Sequence, residues 1–237
     1  MTMRATAIII GRAGSKGLPG KNALHLLDRP IITYSIDHAR HAACVDHIIV
    51  STDGAAIADA ARDANVDVVH RPARLATDDA TVAAVVRHVL EVRTISTPAL
   101  IVLYANVPIR PDDLIDRAVE RLSTSGADSV QSYTRMTKHH PYWMMRMDDH
   151  GSVTPFIDNT IDRRQDLPAL WLPDGGVIAV RRDVVERAAL DQPHDFLGRD
   201  RRGVETRAGE VVDIDEPIDL AMAEALLRHR AAMEMPA

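Results

Sequence analysis

The sequence predicts an α/β fold in which a mainly parallel sheet lies between two layers of helices. Three observations carry this expectation. Short apolar runs recur along the first 130 positions, beginning with A-T-A-I-I-I at residues 5–10; strands of this kind are buried on both faces. Segments with apolar residues at helical spacing separate the runs, the alternation that builds a parallel sheet. The chain has 237 residues, which suits one domain of about 150–200 residues with an elaboration. One domain over residues 1–237 is therefore expected.

The elements follow in order. Strands are expected at 5–10, 47–52, 66–69, 99–103 and 129–133. Between them, residues 30–43 place Ile31, Ile32, Ser35, Ile36 and Ala39 at helical spacing, 54–64 is alanine-rich and helical, and 81–92 is a third helix. A fourth helix covers 111–124, with Pro111 at its start, where a missing N–H does no harm. Residues 135–171 break the alternation. They hold four of the eight aromatic residues (Tyr142, Trp143, Phe156, Trp171) and four of the nine methionines (Met136, Met144, Met145, Met147). An insertion packing apart from the sheet is expected there. Its composition suits a subunit contact and suits a local mini-core equally well. The main pattern resumes with a strand at 177–181, a helix at 183–189, a polar loop, a strand at 210–214 and a helix at 217–233.

Composition narrows the class. With 46% hydrophobic and 26% charged residues, the chain is neither disordered, collagen-like nor a bare coiled coil. No run reaches the roughly 18 apolar residues of a membrane span, and the first apolar run is too short for a signal peptide. No membrane partner and a cytoplasmic location are expected. The net charge of −6, from 28 basic and 34 acidic residues, argues against nucleic acid as a partner and still allows a small anion held by local cations. The lone Cys44 is expected as a buried apolar residue. Neither it nor Ser51 has a base at readable spacing, so nucleophilic catalysis lacks support. His139 and His140 lack a third metal ligand and are expected at the surface.

Residues 11–22 read G-R-A-G-S-K-G-L-P-G-K-N directly after the first strand. Gly11, Gly14, Gly17 and Gly20 permit close backbone approach to a ligand. N–H groups of such a loop, including that of Ala13, suit phosphate oxygens. Arg12, Lys16 and Lys21 add charge and Ser15 a hydroxyl, which together make a triphosphate cradle. The spacing is neither that of a Walker A loop nor that of a dinucleotide fingerprint. Near the other end, V-V-D-I-D places Asp213 and Asp215 two apart on the expected strand, facing one side. Two such carboxylates close to a triphosphate can hold Mg²⁺. Asp219 reads as a cap or structural residue of the last helix.

The glycine-rich loop resembles that of the N-acylneuraminate cytidylyltransferases, A-R-G-G-S-K-G-[IL]-P-G-K-N, and the likeness extends over nearly the whole chain. V-S-T-D at 50–53 is similar to the family's second strand end. R-P-A-R-L-A-T-D-D-A-T at 71–81 is similar to R-P-x-x-L-A-x-D-x-A-[ST]. The resemblance implies that Arg71 bonds the pyrimidine, the Ala80 backbone accepts from the cytosine amine, Thr81 faces the ribose and Asn22 orients ribose or phosphate. L-Y-A-N-V-P-I-R at 103–110 stands where the family has L-Q-P-T-S-P-L-R. Pro108 and Arg110 match; Tyr104 and Asn106 do not, and both would lie near the sugar. D-R-R-Q-D-L-P at 162–168 resembles R-R-Q-D-L-P, a segment at the family's dimer interface that helps line the sugar pocket. Arg163 or Arg164, next to Gln165, would then pair with a sugar carboxylate. Asp174 replaces an asparagine near the sugar, which points, with Tyr104, to an unusual acceptor. The 211–219 segment is similar to V-D-I-D-x-x-x-D.

The resemblance implies a Rossmann-like nucleotide-binding three-layer sandwich with a protruding dimerisation element. It implies Mg²⁺-dependent transfer of CMP from CTP to the anomeric hydroxyl of an acidic, sialic-acid-like nonulosonate, with pyrophosphate released by a homodimer. Arg12, Lys21, Asp213 and Asp215 would be the catalytic residues, the last two holding the metal. Two alternatives stay open: a cytidylyltransferase for another acidic sugar such as a 3-deoxy-octulosonate, and a non-catalytic nucleotide-binding subunit.

Overall fold

The structure, a computed structural model, describes residues 3–14, 17–137 and 139–234. Strand β1 (Ala5–Ile10) is followed by a small hairpin of β2 (His25–Leu26) and β3 (Arg29–Pro30). Then come α1 (Ile31–His41), β4 (Val45–Thr52), α2 (Ala55–Asp63), β5 (Asp67–His70), α3 (Val82–Val92), β6 (Ala99–Tyr104), α4 (Leu114–Ser125) and β7 (Ser129–Arg135). A second hairpin, β8 (Met145–Met147) and β9 (Val153–Pro155), precedes β10 (Trp171–Arg181), α5 (Arg182–Arg187), β11 (Arg201–Thr206) and α6 (Pro217–Glu234).

Seven strands form one sheet in the order β11-β7-β10-β6-β1-β4-β5. Six of them run the same way. Only β10 is antiparallel, pairing with both β6 and β7. β1 sits at the centre of its half, in register with β4 on one side and β6 on the other. Alternate residues of each strand face opposite layers. Ile9, Ile101 and Leu103 pack with Ile32, Ile36 and Leu122 of α1 and α4. Ile8, Leu100 and Val102 pack with Val86 and Val89 of α3 and Val185 of α5. Ile8 and Ile9 are fully enclosed, each worth about 1.5–3 kcal/mol of burial. A third cluster joins Leu26, Ile31, Ile109, Val212, Ile214 and Ala223, and so fastens α6 and the first hairpin to the main body.

The expected α/β sandwich with a mainly parallel sheet is present. Three expectations are corrected. The loop expected before residue 210 contains β11, an edge strand paired with β7 alone; its sequence R-R-G-V-E-T carries little apolar signal because one edge and much of its surface meet solvent. The strand expected at 210–214 is an extended segment making a single bridge, Val212 to Ile109; its apolar alternation serves to bury Val212 and Ile214 rather than to join the sheet. The strand expected at 177–181 begins earlier, at Trp171, with a register shift between Pro173 and Ile178.

Residues 136–170 leave the sheet, as expected, with β8 and β9 as a separate two-stranded unit. His140, expected at the surface, is buried at the base of this arm. Its Nδ1 accepts from the Tyr142 N–H (3.2 Å), and its Nε2 bonds the Pro168 carbonyl (3.1 Å). No helix among the described residues is long and apolar enough to cross a membrane.

Candidate active site

The parallel strands end together, and beyond the carboxyl ends of β1, β4, β5 and β6 lies a cleft of about 270 Å³. This is where open α/β sheets bind ligands. Gly11, Arg12, Lys21 and Asn22 from the glycine-rich loop, Arg71 after β5, Tyr104 and Asn106 after β6, and Asp213 line it. The loop can approach so closely because Gly11 has no side chain: a Cβ there would stand 2.7 Å from that of Ala105. Gly17 is as constrained, since a Cβ would meet the Asp215 carbonyl oxygen at 2.6 Å.

The loop is held at several points. The Gly11 N–H donates to the Ser51 carbonyl (3.2 Å) and the Ala13 N–H to the Asp53 carboxylate (2.9 Å). Asn22 donates from Nδ2 to the Arg12 carbonyl (2.9 Å). Its Oδ1 is buried and lacks a hydrogen-bond partner among the described residues. A buried acceptor left open costs about 1–3 kcal/mol, so this atom marks where a ligand donor would be welcome. Arg12 forms an ion pair with Asp78 (2.5 Å). Arg71 is fixed by bonds from Nε to the Ser51 hydroxyl (3.0 Å) and from Nη2 to the Ser51 carbonyl (2.8 Å). Burial pushes its guanidinium down to about 10, so it remains charged at neutral pH.

Opposite the loop stands the acidic edge. The Ile214 N–H donates to the Asn106 carbonyl (2.9 Å) and the Val212 N–H to the Ile109 carbonyl (3.2 Å). This extended segment turns Val212 and Ile214 inward and leaves Asp213 and Asp215 outward together. The Asn106 amide donates to the Asp213 carboxylate, and Lys21 pairs with Asp215. Asp213 opens to the cleft, yet protein crowds its carboxyl; that crowding, and then the charge of Asp215, push it up to about 6. Asp219 accepts from the N–H groups of Asp215 (3.0 Å) and Glu216 (2.8 Å), capping α6 and fixing the end of the acidic segment. Among the described residues, no group of three or more histidines, cysteines or acids is arranged for a metal. A two-carboxylate edge fits Mg²⁺, which binds through one or two carboxylates and fills its shell with water and substrate phosphate.

Beneath the site lies a residue whose role the sequence leaves unmarked. Arg110 is fully buried. It donates to the carbonyls of Gly176 (2.6 Å), Val107 (2.5 Å) and Tyr104 (3.0 Å) and to the Ser35 hydroxyl (3.0 Å). Burial pushes it down to about 9, offset by the charges of Asp213 and Asp174. It pins the turn that carries Tyr104 and Asn106. Its type predicts a surface position, so only the match at Pro108 and Arg110 drew attention to it.

Other expected site residues lie elsewhere. Asp174 does not face the cleft: its carboxylate accepts from the Ser132 hydroxyl (2.5 Å), the Thr206 hydroxyl (2.5 Å) and the Gly176 N–H (2.9 Å), tying β7, β10 and β11 together. The Thr81 hydroxyl caps α3, accepting from the Ala84 N–H (3.1 Å), and donates to the Leu190 carbonyl (3.0 Å), so it is spent on the fold. Neither Thr81 nor Ala80 reaches the lining of the cleft. Gly14 is exposed, with open space around its Cα. Arg163 is exposed on the arm, and Arg164 and Gln165 line a separate hollow there with Arg135 and Leu167. Ser15 and Lys16 lie outside the described residues. Cys44 is buried, and burial pushes its thiol up to about 12, which rules out a thiolate nucleophile at neutral pH.

Tyr104 has a second side. It also lines a pocket of about 470 Å³ bounded by Val82, Ile178, Phe196 and Leu197, with Gln131, Tyr133, His194 and Arg201 among its polar groups. Burial, and then Asp213, push the Tyr104 phenol upward, so it is neutral. The cleft and this pocket meet at its ring, an arrangement that suits two substrates brought end to end.

A cytidylyltransferase family model matches residues 6–145. Among curated proteins, the chain is 30% identical over 232 residues to a CMP-N,N'-diacetyllegionaminic acid synthase of Legionella pneumophila, covering 95% of this chain and 97% of that one. It is 30% identical over 226 residues to an N-acylneuraminate cytidylyltransferase of Escherichia coli, covering 94% of this chain and about half (52%) of that longer protein. Among solved structures, a CMP:2-keto-3-deoxy-manno-octonic acid synthetase complexed with CTP superposes with a TM-score of 0.71 at 17% identity, covering 96% of this chain and 99% of that one.

Proposed function

This chain belongs to the cytidylyltransferase family, and from that premise we propose that it transfers CMP from CTP to the anomeric hydroxyl of an acidic nonulosonate, releasing pyrophosphate. One observation carries the reading. A single cleft gathers the phosphate-type loop with Arg12 and Lys21, a fixed arginine at Arg71, and the acidic edge of Asp213 and Asp215. The relatives named for nonulosonate synthesis support the acceptor class.

The sugar hydroxyl attacks the α-phosphorus and gives up its proton to solvent water, the new P–O bond forms, and the bond to the departing pyrophosphate breaks. No covalent enzyme intermediate is needed, and catalysis is positioning with charge neutralisation. Arg12 and Lys21 neutralise the leaving pyrophosphate, exchanging their present partners Asp78 and Asp215 for phosphate oxygens. Arg71, held by Ser51, donates to the pyrimidine. The open acceptor of Asn22 suits a ribose hydroxyl better than a phosphate oxygen, which has no proton to give. Mg²⁺ held by Asp213 and Asp215 would supply further neutralisation of phosphate charge when bound.

We read the arm as the contact of a homodimer. Met144, Met145, Met147, Phe156, Trp171 and Leu172 are exposed there, Met147 at 72%, a composition typical of interface cores. The test of the site is substitution: Lys21→Ala and Asp215→Asn should each lower CTP-dependent pyrophosphate release by about 100-fold or more, with the circular dichroism spectrum unchanged. Folded variants that retain near-normal turnover contradict the assignment.

A further inference from the structure

Ser51 is a fully buried polar residue that the reaction does not use as a nucleophile. It stands near the carboxyl end of β4, in register with Ile10 of β1 and Val69 of β5. It is not among the residues lining the cleft, yet its acceptors all serve residues that are. Its carbonyl accepts from the Gly11 N–H (3.2 Å) and from Arg71 Nη2 (2.8 Å), and its hydroxyl accepts from Arg71 Nε (3.0 Å). The next residue fixes the backbone of the same arginine, since the Arg71 N–H donates to the Thr52 carbonyl (2.9 Å). The N–H of Nε and one N–H of Nη2 lie along one edge of a planar guanidinium. Ser51 accepts from both, so that edge is spent. Among the described residues, the outer edge, formed by Nη1 and the second N–H of Nη2, is left to donate on the cleft that Arg71 lines.

That outer edge is a pair of parallel donors with no acceptor. Cytosine offers it two adjacent acceptors, O2 and N3. Uracil offers O2 beside an N3–H, which sets donor against donor and leaves both unpaired in a closed site. We infer that Ser51 is the positioning residue that makes this chain select CTP over UTP: by holding one edge of the Arg71 guanidinium, it presents the other as a fixed fork that two neighbouring acceptors alone can satisfy. Without the hydroxyl, Nε loses its partner and the guanidinium can turn, offering uracil a single donor at O2. Ser51 acts through Arg71, and the Gly11 N–H on the same carbonyl gives the base reader and the glycine-rich loop one anchor. This inference rests on the proposed reading of Arg71 as the pyrimidine contact.

The test is calorimetric titration of the full chain with CTP and with UTP, without sugar so that no transfer occurs. The wild type should bind CTP at least about tenfold more tightly than UTP, the value of one hydrogen bond. Ser51→Ala should weaken CTP by about tenfold and leave UTP within about twofold, a change too small for a lost bond; the retained UTP affinity reports the fold intact. Ser51→Cys keeps the bulk but accepts only weakly. It should lose the same selectivity, and it carries the test if the alanine variant does not fold. In an Arg71→Met chain, adding Ser51→Ala should change neither affinity by more than about twofold, because the residue through which Ser51 acts is gone. Equal weakening of CTP and UTP, selectivity retained in the Ser51 variants, a Ser51 effect that persists without Arg71, or a wild type that does not distinguish the two nucleotides overturns the inference. Pyrophosphate release with CTP and an acidic sugar is measured in parallel: selectivity lost in this pattern without release on any sugar overturns the proposed reaction and leaves this inference standing.

Discussion

Arg110 carries a positive charge shut away from the surface, and it is tolerable because three carbonyls and one hydroxyl accept its hydrogen bonds. Removing the guanidinium would leave those acceptors unpaired in the interior. Arg110→Met should therefore cost about 3–5 kcal/mol in denaturant unfolding. Arg110→Lys should recover only part of this, since an ammonium cannot reproduce the fork. A loss under about 1 kcal/mol, the scale of a surface residue, would show that the turn holds itself. At this scale the sequence was partly legible. Arg12, Lys21, Asn22, Arg71 and Asp213, from separate motifs, line one cleft, together with Asn106, which departs from its motif. Asp174 and Thr81 were misplaced for one reason: their chemistry suits a ligand, but the fold consumes it in Ser132, Thr206 and the α3 N-terminus. A motif match aligns positions; it does not say which hydrogen-bond capacity is still free.

Between elements, two loops control the site, and two substitutions should separate them. Gly17→Ala sets a methyl against the Asp215 carbonyl, and backbone cannot yield cheaply. Turnover should fall with little loss of stability, because Gly17 itself is exposed. Thr81→Ala should do the reverse: it removes a helix cap worth about 1 kcal/mol, lowering Tm by about 2–4 °C, with the KM for CTP unchanged. A raised KM in Thr81→Ala would return that hydroxyl to the ribose. Strands with strong apolar runs were legible from residue order, β1 to the residue. The failures are instructive. β11 escaped because an edge strand needs few apolar side chains, and 210–214 was overread because V-V-D-I-D has a strand's alternation without a partner strand. The acidic pair still faces one way, because extended backbone alternates whether or not it joins a sheet.

For the whole molecule, the arm is the feature on which the proposed homodimer rests. If a second copy covers its exposed methionines and aromatics as proposed, light scattering at working concentration gives twice the chain mass of 26.0 kDa. Met147→Asp with Phe156→Asp should yield monomer with the sheet intact; a wild-type monomer would contradict the dimer. The overall architecture was the most legible level, since the alternation of strand and helix fixes a mainly parallel sheet. The reversed direction of β10 was not, because direction depends on how the arm returns the chain, which residue pattern alone does not encode. The central claim is a transfer reaction, and pyrophosphate release tests it most directly. With CTP, Mg²⁺ and a panel of N-acetylneuraminate, its deaminated form, di-N-acetylated nonulosonates and 3-deoxy-manno-octulosonate, release should depend on both CTP and a nonulosonate. Release only with the octulosonate would contradict the acceptor class, and CTP binding without release on any sugar would contradict the reaction itself.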